Sequence, residues 1–136
     1  MTMNTYKQKE YAIEALSQAL LQELTEAVDL YLRSTICVQE KTPFKEAIYC
    51  ALCDKGFNFS TELFKRPECA GIDKDFRRAL DFVSATCIKD AFETARAQTL
   101  TYFDTRTVFK QKIEALASYT PEQIESLYSA HIEKTR

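Results

Sequence analysis

Between positions 73 and 102 apolar and polar residues alternate with a helical period, and the stretch holds no Gly or Pro. Phe76, Ala79, Leu80, Val83, Cys87, Ala91, Ala95 and Tyr102 recur at spacings of about three or four, which predicts a helix with one buried face. Phe82, Phe92, Leu100 and Phe103 widen that stripe, so this helix is expected to touch neighbours on more than one side. A second stripe, Ile13, Leu16, Leu20, Leu24, Val28, Tyr31 and Thr35, predicts a long first helix from Asn4 to about Val38. Ala12, Ala19 and Ala27 flank it. Glu10, Glu14, Glu23, Glu26 and Asp29 fall mostly on its other faces and read as a solvated surface.

The remaining elements follow from punctuation. Thr42-Pro43 is a helix start, because Thr caps and Pro at the first helical position forfeits no hydrogen bond. Phe44, Ile48, Ala51 and Leu52 supply the buried face, and Lys55-Gly56 is the expected stop. A short helix over 60–65 follows, then an irregular Arg66-Pro67-Glu68, with Asp73 capping the central helix. Residues 72–120 contain no Gly or Pro, yet one straight helix of that length would run to roughly 70 Å, several times the radius of so small a domain. A break is therefore expected, and 104–107 is the chosen place because Asp and Thr favour caps over helix interiors. Val108, Phe109, Ile113 and Leu116 then form a further helix. Thr120, Pro121 and Gln123 spell a capping box opening a last helix, with Ile124, Leu127, Tyr128 and His131 on one face.

Composition sharpens the fold class. Only two Gly and three Pro occur in 136 residues, too few for the tight turns of a β-rich fold. The expectation is an all-α compact bundle of about five or six helices around a long central helix (about 73–103), as a single helical domain over 1–136. A net charge of −2 gives no electrostatic case for nucleic acid or a membrane surface. No apolar run approaches the ~18 residues of a membrane span, and the first residues carry no secretory h-region. Five cysteines, an odd number, point to a reducing compartment, with the cytoplasm as the default.

Candidate chemistry is sparse. Cys50-Ala51-Leu52-Cys53 falls near the expected C-terminus of its helix, where the dipole opposes a thiolate, so it is a poor redox pair. The run YCALCDKGFNFSTELFKR resembles part of the frame of a two-Cys, two-His zinc finger. Tyr49 precedes the first Cys, Lys55 and Phe57 follow the second, and Leu63 stands at the core leucine. Arg66 occupies the place of the first ligand His, so a metal would need Cys50, Cys53 and Cys69 plus a distant fourth ligand such as Cys37, Cys87 or His131. The competing reading makes these cysteines small packing residues. His131 is the only histidine and nothing beside it reads as an activated nucleophile. A helix-turn-helix over 45–53, Gly56 and 60–65 would offer Thr61, Glu62, Lys65 and Arg66 to DNA, without a basic surround. Tyr6, Tyr11, Tyr49, Tyr119 and Tyr128 lie off or at the edge of the stripes, where aromatics with a polar tip suit interfaces.

Together these features favour a non-enzymatic protein-interaction or regulatory protein, with no cofactor and no catalytic residue expected. Its partner would be another protein or, given the long helices, a second copy of the chain; a membrane is excluded and nucleic acid disfavoured. The alternative is a small zinc module on Cys50, Cys53 and Cys69, touching nucleic acid through Lys65 and Arg66.

Overall fold

The computed structural model describes residues 4–33, 44–98 and 102–135. Among these residues five α-helices follow one another: α1 (Thr5–Arg33), α2 (Phe44–Leu63), α3 (Lys74–Gln98), α4 (Tyr102–Ser118) and α5 (Pro121–Lys134), with a single 3-10 turn at Pro67–Cys69 between α2 and α3. Among the described residues there is no strand, and no helix is long and apolar enough to cross a membrane.

The first four helices close a ring. α1 packs on α2, α2 on α3, α3 on α4, and α4 back on α1. Side-chain pairs fix antiparallel register along the α1/α2 seam: Tyr31 meets Phe44 edge-on at 5.1 Å, and Arg66, just beyond α2, reaches Tyr11. α5 packs on α3 and α1, and caps one end of the ring. It is held there by buried Pro121 and Ile124 and by Lys9, whose ammonium lies 2.7 Å from Glu125. As expected of a central helix, α3 touches α2, α4 and α5; α1 shares that position, because it too contacts the same three.

The periodic stripes become the core. Ile13, Leu16, Leu20, Leu24, Val28 and Tyr31 of α1 are buried, as are Phe76, Ala79, Leu80, Val83, Ala91 and Ala95 of α3. Ile88 takes the stripe position expected for Cys87, which is half-buried. Each fully enclosed Leu, Ile or Phe contributes roughly 1.5–3 kcal/mol over exposure. The caps form as their residues imply: Asp73 accepts from the Phe76 amide at 2.8 Å, and Thr120 and Gln123 complete both arms of a capping box. The expected Thr42-Pro43 start, Thr35, Leu100 and the side chains of Tyr102 and Phe103 lie outside the described residues.

Two expected boundaries are wrong. Gly56 does not stop a helix, because α2 runs unbroken to Leu63. Phe44, Ile48, Leu52, Gly56, Ser60 and Leu63 fall on one face, and Gly56 is where that face comes nearest α1: a Cβ there would sit 3.4 Å from a Leu20 methyl. Burial on both sides of the glycine outweighs its low helix propensity. The continuous helix also removes the turn that a helix-turn-helix over 45–65 requires. Likewise 104–107 is not a break but the first turns of α4, where Thr105, 1 % exposed, begins the buried stripe continued by Phe109, Ile113 and Leu116. Asp104 suits the first turn of that helix, where the dipole favours an acid.

Candidate functional site

The α2/α3 seam is built from paired rungs. The Lys45 ammonium donates to the Ala95 carbonyl at 3.1 Å. Tyr49 stacks on Phe92 with centroids 4.6 Å apart, Ser60 donates to Asp81 at 2.6 Å, and the Arg77 guanidinium lies 5.3 Å from the Phe64 ring. Between the Tyr49 and Ser60 rungs the facing residues are small: Gly56 on one side, Ser84 and Ala85 on the other. The aromatic rungs hold the helices apart and the small residues leave a cleft of about 260 Å³, floored also by Ile88.

Phe57 forms the rim of this cleft and is 76 % exposed, more than any other large apolar side chain described. Leu30 and Leu32 are also exposed, at the end of α1 beside residues outside the described set. At the Ser60 end stands Asp81, the single carboxylate lining the cleft. Burial pushes its carboxyl up from the ordinary range, against the opposing pull of the Ser60 hydroxyl and the Arg77 guanidinium. At the other end is Cys53. Burial pushes its thiol up, against a hydrogen bond from the Tyr49 hydroxyl. A thiol held protonated is a weak nucleophile, so this end offers packing surface rather than covalent chemistry.

Cys50, Cys53 and Cys69 do not converge, and Cys37, a candidate fourth ligand, lies outside the described residues. Cys50 is exposed and Cys53 half-buried, one turn apart on α2, whereas Cys69 is buried in the 3-10 turn beyond that helix. The ten residues from Cys53 to Leu63 alone span about 15 Å of helix. Among the described residues no three His, Cys, Asp or Glu side chains are placed to hold a metal ion. The residues that resemble a zinc finger, Tyr49 to Leu63, all lie on one helix, whereas a finger needs its two cysteines on a turn folded back against the helix. Arg66 is engaged within the chain: its guanidinium donates to the Tyr11 hydroxyl at 3.3 Å and lies 5.3 Å from the Phe59 ring.

His131 is exposed and stacks on Phe82 with centroids 4.2 Å apart. It lines a second cleft of about 310 Å³, between α3 and α5, that also receives Cys87, Tyr119 and Lys134. Burial pushes the Cys87 thiol up, with the Lys112 ammonium pulling the other way. No hydrogen bond joins Cys87 to His131, so no activated nucleophile is assembled there. A broader, shallow depression over α1 and the end of α2 mixes polar lining (Glu14, Gln18, Gln22, Arg66) with about as much apolar surface, from Tyr11, Phe59 and two alanines.

Asp81 was not singled out by the sequence, and Phe57 entered only through the zinc-finger resemblance, not as an exposed surface residue. The signal for Phe57 was present, since on a helix continuing past Gly56 it stands about 100° off the buried stripe and must face outward. Comparison with protein-family models, curated proteins and solved structures finds no match.

Proposed function

We propose that this chain is a non-enzymatic interaction protein of the cytoplasm that docks a helix of another protein into the α2/α3 cleft. The observation that carries this reading is Phe57, exposed at the rim of a largely apolar cleft that no described side chain fills. A groove between two antiparallel helices has the shape that accepts a third, with apolar anchors at helical spacing. The free thiols of Cys50, Cys53, Cys69 and Cys87 fit a reducing compartment.

The test places a photoreactive benzoylphenylalanine at position 57, with the same residue at exposed Lys110 on α4 as a control. Irradiation in living cells is expected to give one defined adduct from position 57 and none of that mass from position 110. Equal labelling from both positions would refute the reading. An adduct at twice the 15.7 kDa of the chain would identify the partner as a second copy.

A further inference from the structure

The α2/α3 cleft holds one charged group, and its position specifies what the occupant must carry. Asp81 lies beside Ser60, one helical turn along the groove from Gly56 and Ala85. Ser60 donates to one carboxylate oxygen, and among the described residues no ion pair within 4 Å engages the other. The remaining lining, Cys53, Gly56, Phe57, Ser84, Ala85 and Ile88, is apolar apart from the Cys53 thiol and the Ser84 hydroxyl, which donates to the Asp81 backbone carbonyl. An occupant that filled only the apolar part would desolvate this carboxylate further, with only the Ser60 hydrogen bond and the more distant attraction of Arg77 to offset the cost; an occupant with a cation at the right distance would satisfy the second oxygen.

We infer that the cleft recognises an apolar side chain with a cationic nitrogen about one helical turn away, and that Asp81 is the counter-ion of that nitrogen. This rests on the docking reading above, and its source is a partner helix bearing Lys or Arg three or four residues from an aliphatic or aromatic anchor.

The probe is 2-phenylethylammonium, whose ring and nitrogen mimic anchor and cation, set against the uncharged 2-phenylethanol. Binding is read by amide NMR at pH 7, where Gly56 is a natural reporter because the chain has only two glycines and Gly71 lies away from the cleft. The ammonium is expected to shift the Gly56 resonance saturably, with a midpoint roughly five- to tenfold below that of the alcohol, the worth of one charge-assisted hydrogen bond at a half-exposed site. Asp81→Asn should make the two midpoints equal while Gly71 stays in place. Ala85→Leu, at an exposed position on the cleft wall, should abolish the response to both.

Equal midpoints in the unaltered protein, or a ratio unchanged by Asp81→Asn, would overturn the role of Asp81. No Gly56 response to either probe would overturn the cleft as a site. Selective binding of the ammonium with no adduct from position 57 would keep the counter-ion and overturn the partner helix as its source, so the two failures are told apart.

Discussion

Gly56→Ala separates two accounts of α2 by the sign of its effect. If α2 is continuous, the substitution places Ala at a helix interior, where glycine costs about 0.8–1.0 kcal/mol relative to alanine. The new methyl meets one neighbour, a Leu20 methyl at 3.4 Å, which is the near edge of ordinary van der Waals contact. A small gain from its partial burial is offset by that tightness, leaving a net stabilisation of about 1 kcal/mol. If the helix instead ended at Lys55 with Gly56 left-handed, alanine would lose roughly 1–2 kcal/mol. The two outcomes differ by about 2–3 kcal/mol, well beyond the error of urea unfolding followed by circular dichroism. The expected result is a higher urea midpoint with an unchanged slope, and a melting temperature up by about 3–5 °C. A loss of more than about 1 kcal/mol would refute the continuous helix and, with it, the placement of Phe57 on the cleft rim.

Four further outcomes follow from particular contacts. Phe57→Ser should change stability by less than about 0.5 kcal/mol, as for an exposed position; a loss above ~2 kcal/mol in urea unfolding would mean that Phe57 packs within its own chain. Asp81 has a folded value raised above its unfolded one, so its ionised form disfavours the fold, and stability must rise as pH falls through that raised value toward the ordinary aspartate range near ~3.9. Melts from pH 8 to pH 3 should therefore show Asp81→Asn gaining most over the parent at neutral pH and losing that advantage in acid; an advantage that grows in acid would contradict the sign. Thr120→Ala removes one arm of the α5 capping box and should cost about 1 kcal/mol, measured by the same unfolding. Gly71→Ala should cost about 1–3 kcal/mol, because a Cβ there collides with the amide oxygen of buried Gln8; an unchanged midpoint would show that Gln8 is free to move.

The parts of the fold that could be read from the sequence are those where local and tertiary preferences agree. α1, α3 and α5 each combine an unbroken apolar stripe with a capping residue or good helix formers, so periodicity located them. Failures came where a local signal was overruled. Gly56 looks like a terminator, but it lies on the line from Phe44 to Leu63 and lets α1 approach. Asp104 to Thr107 looks like a break, but Thr105 is buried and aligned with Phe109. The site was hidden for a related reason. Phe57 becomes an outward-facing residue only once α2 is continuous, and Asp81 becomes half-buried only because Ser60 stands opposite on another helix. No window of sequence contains that pairing. Conversely Cys50, Cys53 and Cys69 are close in sequence and suggest a ligand set, while the rise of α2 keeps Cys69 apart from the other two.

The α2/α3 seam shows why an empty apolar cleft can persist in a packed bundle. Helix spacing is set by the largest side chains at the contact, here the Tyr49–Phe92 stack and the Phe64–Arg77 pair at either end. Once those rungs fix the separation, Gly56, Ser84 and Ala85 are too small to close it, and Phe57 cannot turn in because it stands off the stripe that faces the core. On the docking reading, Asp81 would be the group that selects the occupant, because it is the one charged side chain among the described lining.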